Sequence, residues 1–242
     1  MKQSEWFSDW FNTSYYHILY KDRDEEEAEF FIRNLISYIQ PSKETEFLDL
    51  ACGKGRHSIF LNSLGYKVWG CDLAEQSICC AENNENERLH FFVQDMRDPL
   101  PRNFDVVLNL FTSFGYFEDS EDNFKTFQSV AQRMNPGGLF VVDFLNAHKI
   151  REGLIPFETK IIDGIEFHIT KHISNKRVIK TIDFQIEDER HEYAESVSLL
   201  EKSDFMDFAE KAGLQLKTEF GSYDLKPFQS HSERLILIFE KA

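Results

Sequence analysis

Phe47-Leu-Asp-Leu-Ala-Cys-Gly-Lys-Gly-Arg-His57, running on into Ser58-Ile-Phe-Leu-Asn-Ser-Leu64, is the stretch that decides the fold. An apolar start, a glycine turn and a run with helical apolar spacing follow one another directly. In that strand-turn-helix arrangement backbone N–H groups can approach a nucleotide-like ligand. A dinucleotide site wants a third glycine three residues after Gly55, where helix and strand close up beside a pyrophosphate. This chain has Ser58 there, so a pyrophosphate is not the expected ligand.

Tyr66-Lys-Val-Trp-Gly-Cys-Asp72 reads as the next strand, ending in a carboxylate 19 residues after Gly53. At a strand tip beside the glycine turn, Asp72 is set to accept hydrogen bonds from the two hydroxyls of a ribose. The third strand, Leu89-His-Phe-Phe-Val-Gln94, runs into Asp95-Met-Arg-Asp98 and brings a second acceptor to the same crevice. Asp95 there suits the exocyclic amine of adenine. Ribose and adenine without pyrophosphate suggest S-adenosylmethionine.

These residues carry a resemblance. Asp49-Leu-Ala-Cys-Gly-Lys-Gly55, Asp72, Gln94-Asp-Met-Arg97 and Asn135-Pro-Gly-Gly138 resemble the successive motifs of class I S-adenosylmethionine-dependent methyltransferases, over residues 46 to 146. Asp-Met-Arg-Asp followed by Phe111-Thr-Ser-Phe-Gly-Tyr116 is similar to the small-molecule N-methyltransferases of amino-sugar and glycine type. The resemblance implies a Rossmann-like α/β fold with a mostly parallel seven-stranded sheet and helices on both faces. It also implies that the leading segment folds over the cofactor as a lid. In the pattern Leu19-Tyr-x-x-Arg23, Tyr20 would sit near the reacting methyl and Arg23 would pair with the methionyl carboxylate.

The expected organisation follows. Residues 1 to 40 form a helical lid, in which Asp24-Glu-Glu-Glu27 opens a helix whose apolar face is Ala28, Phe31, Ile32, Leu35, Ile36 and Ile39, stopped by Pro41. Residues 41 to 148 form the cofactor-binding core, with strands near 46 to 50, 66 to 71, 89 to 94, 104 to 110 and 138 to 144. Helices near 56 to 64, 74 to 83 and 121 to 134 lie between them, and such alternation argues for a parallel sheet covered on both faces. Residues 149 to 201 form an antiparallel β insertion, its strands near 156 to 162, 165 to 173, 177 to 186 and 191 to 200, with turns at Asp163-Gly164 and Ser174-Asn175. Residues 202 to 242 return to the core with a helix, a strand near 214 to 220 and a final strand, Arg234 to Phe239, which resembles the reversed last strand of the methyltransferase sheet.

Composition narrows the partners. The chain has 242 residues, ample for one large domain with an insertion, and 27 Lys and Arg against 42 Asp and Glu give a formal charge of −15. An acidic surface disfavours a nucleic acid and an anionic membrane. With neither an apolar leader nor a long apolar run, the expectation is a cytoplasmic protein whose four cysteines are reduced. His168 and His172 share a strand face, but at about 3.3 Å per residue they stand roughly 13 Å apart. One ion cannot join them, and no metal is expected.

Methyl transfer from a sulfonium is an in-line displacement, which asks the protein to align a nucleophile and exclude water. The expected cofactor pocket is Asp49, Ala51, Gly53 and Gly55 at the methionine end, Asp72 and Leu73 at the ribose, Asp95 and Met96 at the adenine, and Asn109 with Leu110 beneath the sulfonium. Cys52, His57, Phe111, Tyr20 and Arg23 belong to the same expected pocket. Tyr20, Tyr116 and His231 are the candidate catalytic residues, His231 because the loop 221 to 232 starts at the carboxyl end of a parallel strand. The favoured substrate is a small-molecule amine, leaving S-adenosylhomocysteine as the other product. The rivals are an O-methyltransferase or protein methyltransferase with the same pocket, a non-catalytic cofactor-binding regulatory module, and third a nicotinamide dehydrogenase. The insertion admits three roles: covering the active site, forming a homodimer interface or docking a partner.

Overall fold

The computed structural model describes residues 6–21 and 25–242. Arg23 and Asp24 lie outside the described residues. Three helices lead: α1 (Trp6–Phe11), α2 (Ser14–Leu19) and α3 (Glu25–Ile39). The Thr13 side chain accepts from the Tyr16 N–H and so caps α2. The core then alternates β1 (Glu46–Leu50), α4 (Arg56–Ser63), β2 (Lys67–Asp72), α5 (Glu75–Ala81), β3 (Leu89–Val93), β4 (Phe104–Asn109), α6 (Ser120–Arg133) and β5 (Met134–Leu145). A short α7 (Ala147–Gly153) leads to β6 (Phe157–Ile162), β7 (Ile165–Ser174), β8 (Arg177–Ile186) and β9 (Glu189–Ser198). The chain closes with α8 (Lys202–Ala212), β10 (Leu214–Phe220) and β11 (Arg234–Lys241).

The main sheet has seven strands in the order β10-β11-β5-β4-β1-β2-β3. β1 to β5 pair in parallel, and β11 lies antiparallel to both β5 and β10. Buried strand residues alternate between two cores, as period-two side chains must. Leu48, Val107, Phe140 and Leu237 pack with Phe127 of α6 and Phe205 of α8. Phe47, Val106, Val141 and Ile236 face the opposite side, with Phe31, Ile32 and Leu35 of α3 and Leu61 of α4.

The insertion is a separate sheet, β6-β7-β8-β9, antiparallel throughout. In β7, buried Phe167 and Ile169 alternate with exposed Glu166, His168 and Thr170. The buried face, extended by Ile182 and Phe184, packs on Trp10 and Leu19 of α1 and α2. His168 and His172 are exposed. The insertion also grips the segment after β4. Arg177 donates to the carbonyls of Phe117 (2.8 Å) and Tyr116 (2.9 Å), and the Ser198 N–H donates to the Gly115 carbonyl (2.8 Å).

The structure departs from the sequence reading most in two strands and one helix. β5 begins at Met134 rather than near 138, because a register shift between Phe104 and Val106 lets Asn135-Pro-Gly-Gly138 enter the strand, with Gly137 at φ 73°. β9 runs from Glu189 to Ser198 rather than from 191 to 200, since left-handed Glu187 turns the hairpin and pairs Ile186 with Glu189. α7, capped by the Asn146 side chain, was not expected from the sequence.

Candidate functional site

The glycine turn between β1 and α4 is built from left-handed residues: Ala51 (φ 63°), Gly53 (φ 56°) and Gly55 (φ 83°). A side chain at Gly55 would also strike the Phe91 ring, 2.6 Å from an ideal Cβ. Gly70 of β2 meets the same ring at 2.6 Å and the Ser58 hydroxyl at 2.9 Å. The close helix-strand approach for which a third glycine was wanted is therefore made by a glycine on the strand, facing Ser58. The Ser58 hydroxyl donates to Asp49 (2.7 Å), which is buried. Burial pushes the Asp49 carboxyl up to about 6, with nearby Asp72 adding to the rise and Ser58 opposing it.

Asp72 stands at the end of β2. Its carboxylate accepts from the Gly53 N–H (2.8 Å) and the Ala74 N–H (2.8 Å), so it braces the turn. Desolvation raises its pKa, and those backbone N–H groups oppose the rise. Asp95, past β3, is clasped by Arg97, which donates from Nε (3.0 Å) and Nη2 (2.6 Å). Arg97 also pairs with Asp122 of α6 (3.1 Å) and lies over the Phe117 ring (4.5 Å). That clasp holds the third strand's acceptor in one orientation.

The carboxyl ends of β1, β2, β3 and β4, roofed by α1 and α2, enclose a cavity of about 390 Å³. Such ends are where open α/β sheets take ligands. On its wall are Tyr20, Ala51, Cys52, Gly53, His57, Asp72, Leu73, Asp95, Met96, Leu110, Phe111 and Tyr116, all singled out from the sequence. Asp49, Gly55 and Asn109 are buried and do not line it. Asn109 instead donates to the Leu50 carbonyl (3.0 Å) and the Ser113 carbonyl (3.2 Å), tying β4 to β1. His231 is exposed, its ring nitrogen 3.0 Å from the Ser230 hydroxyl, and does not line the cavity.

Sequence reasoning missed Phe7, Phe11, His17, Lys54, Arg56 and Phe117 on the wall. The aromatic density of the first helices was the available signal for Phe7 and Phe11, and Lys54 and Arg56 stand inside the quoted turn itself. The rings of α1 bear on the far side of the cavity: Phe11 lies 5.4 Å from Tyr116 and Phe7 5.7 Å from Phe117. Tyr20, just past α2, donates its hydroxyl proton to Glu195 of β9 (2.6 Å) and accepts from Lys180 of β8. The Trp10 indole donates to the same carboxylate oxygen of Glu195 (2.8 Å). Cys52 and Cys71 are buried free thiols whose pKa values burial raises, while Cys79 and Cys80 are exposed. Among the described residues no His, Cys, Asp or Glu cluster could hold a metal ion, and no helix is long and apolar enough to cross a membrane.

Comparison with known proteins agrees with this geometry. Residues 47–138 match the methyltransferase domain family. Over 109 residues the chain is 35% identical to the putative methyltransferase YqeM of Bacillus subtilis, covering 43% of this chain and 44% of that protein. Over 101 residues it is 33% identical to the dTDP-3-amino-3,4,6-trideoxy-alpha-D-glucopyranose N,N-dimethyltransferase of Streptomyces venezuelae, covering 41% of this chain and 42% of that one. Either match spans less than half of the relative's length. Among solved structures, an S-adenosylmethionine-dependent methyltransferase from Clostridium acetobutylicum superposes with a TM-score of 0.80 at 21% identity, covering 94% of this chain and 96% of that one. At that identity the likeness establishes a shared fold.

Proposed function

We propose that this chain, which carries the methyltransferase domain and the fold of the class I S-adenosylmethionine-dependent methyltransferases, moves a methyl group from S-adenosylmethionine to a small-molecule amine. The donor set of the cavity fits that cofactor. Asp72 with Leu73 takes the ribose, Asp95 with Met96 the adenine, and the cations Lys54 and Arg56 stand at the glycine turn for the methionyl carboxylate. The bound cofactor supplies an electrophilic methyl on a sulfonium. What falls to the chain is to orient the acceptor, keep water out and receive the proton that an amine releases.

One observation carries the amine reading. Three hydroxyls on the cavity wall spend their protons on protein acceptors: Tyr20 on Glu195 (2.6 Å), Ser113 on the Leu110 carbonyl (2.8 Å) and Tyr116 on the Thr112 carbonyl (2.8 Å). Tyr20 also accepts from Lys180, so Ser113 and Tyr116 are the oxygens that keep acceptor capacity and offer no proton. An amine, whose N–H groups donate, suits those two oxygens. Phe7, Phe11 and Tyr116 add aromatic rings to the same wall. The Streptomyces relative, named for dimethylation of an amino sugar, points to the same class of acceptor.

In this reading residues 1 to 40 are a lid and residues 149 to 201 its anchor, in a cytoplasmic enzyme; sizing chromatography tests whether a homodimer forms through the insertion. The test of function combines calorimetry with turnover. S-adenosylmethionine and S-adenosylhomocysteine should bind, with NAD as the control that does not, and a panel of primary and secondary amines should release S-adenosylhomocysteine where matched alcohols do not. Turnover of alcohols alone would transfer the reading to an O-methyltransferase, and binding of NAD alone would end it.

A further inference from the structure

The segment that follows β4 passes the cavity with two consecutive non-glycine residues in the left-handed region, Phe111 (φ 55°) and Thr112 (φ 62°). Side-chain crowding disfavours that conformation at each, and the pair persists only where surrounding structure over-determines it. Here the surroundings are a buried polar network contributed by distant parts of the chain. Asp143 of β5, with no exposed surface, accepts from the Phe111 N–H (2.8 Å), from Arg234 Nε (2.8 Å) and from the Tyr223 hydroxyl (3.1 Å). Its own carbonyl accepts from the Thr112 N–H (3.0 Å). Arg234 of β11 reaches on with Nη2 to the Thr112 hydroxyl oxygen (2.8 Å).

The network fixes a ring as well as a backbone. Phe111 lines the cavity, stacked on Tyr223 (5.0 Å between centroids, 23° between planes), with the Arg56 guanidinium 4.7 Å from its centroid and the His57 ring 4.9 Å away. Tyr223 stays a proton donor to Asp143, since burial and that carboxylate push its pKa well up. Asp143, Tyr223 and Arg234 themselves do not line the cavity.

We infer that Asp143 and Arg234, with Tyr223, are positioning residues: they hold Phe111 and Thr112 in the left-handed conformation that sets the Phe111 ring into the cavity wall. The inference rests on the proposed function in taking that cavity as the cofactor site. An arginine is needed because one planar fork meets two partners, the carboxylate and the Thr112 hydroxyl, which a lysine ammonium does not reproduce.

The experiment is S-adenosylhomocysteine calorimetry, with a thermal melt for each protein, on the full chain and on Arg234→Lys, Arg234→Gln, Thr112→Gly and Arg234→Gln/Thr112→Gly. Glycine takes a positive φ without help. The expected result is that Arg234→Gln weakens binding at least tenfold, that Thr112→Gly alone stays within threefold of the unaltered chain, and that Thr112→Gly added to Arg234→Gln recovers most of the loss. A merely structural role of Arg234 would not be rescued by a glycine. Should Arg234→Gln fail to fold, Arg234→Lys with and without Thr112→Gly is read the same way. Unchanged affinity in the arginine variants, or no rescue by glycine, overturns the inference alone. An unaltered chain that does not bind S-adenosylhomocysteine overturns the proposed function first.

Discussion

Asp49 gives the clearest handle at the scale of single residues. Its carboxyl titrates at about 6 in the folded protein and near the ordinary 3.8 in the unfolded chain. Between those values the folded state holds the extra proton, so the stability this group contributes is fully present below pH 3.8 and is lost as pH rises through about 6. Asp49→Asn should therefore flatten the stability profile across that window. At pH 7 it should raise stability by about 3 kcal/mol, the free energy of the full shift. Urea titrations of both proteins from pH 4 to 7 check this, and parallel profiles would remove Asp49 as the cause. The Asn side chain can still accept from Ser58, so the expected gain comes from removing a charge that burial disfavours.

At the scale of elements, one ion pair stands out where α1 and α2 meet the antiparallel sheet. Glu195 and Lys180 sit on neighbouring strands, 3.4 Å apart, with about 16% and 14% of their side chains exposed. Glu195→Gln leaves Lys180 without its counter-charge and should cost on the order of 3 kcal/mol. Lys180→Met in the same chain should recover part of the loss. Thermal melts of the single and double variants decide it, and a double variant no better than Glu195→Gln would show that the pair is not what matters. Little of this was legible in the sequence. The parallel core could be read because β1, β2 and β3 are apolar runs followed by the glycine turn, Asp72 and Asp95, and α3 because its buried residues recur at helical spacing. α7 escaped because seven residues with one buried side chain, Ala147, carry no period. Glu195 and Lys180 look like ordinary outward charges on alternating strands, and only the three-dimensional contact with Tyr20 and Trp10 gives them a role. His231 was proposed from loop position alone, and a twelve-residue loop leaves its side chains' directions open. Asp72 and Asp95 were legible because a strand end fixes where a side chain stands.

For the molecule as a whole, the cavity joins the glycine turn, the ends of β2, β3 and β4, and the helices α1 and α2, so a ligand that fills it should stabilise all of them together. At a hundred times its dissociation constant S-adenosylhomocysteine adds about 2.7 kcal/mol. For a chain of this size that is a rise in melting temperature of about 5–10 °C. NAD should give none, and Asp72→Ala should lose most of the shift at the same ligand concentration. A full shift in Asp72→Ala would withdraw the ribose assignment. The same architecture sets a timetable for synthesis. Trp10 and Leu19 leave the ribosome roughly 150 residues before Phe167, Ile169, Ile182 and Phe184, which bury them. At about 5–20 residues per second α1 and α2 wait on the order of 10–30 s for their partner. During that interval residues 6 to 20 carry two tryptophans, two phenylalanines and three tyrosines without their packing partners, a handhold for a chaperone.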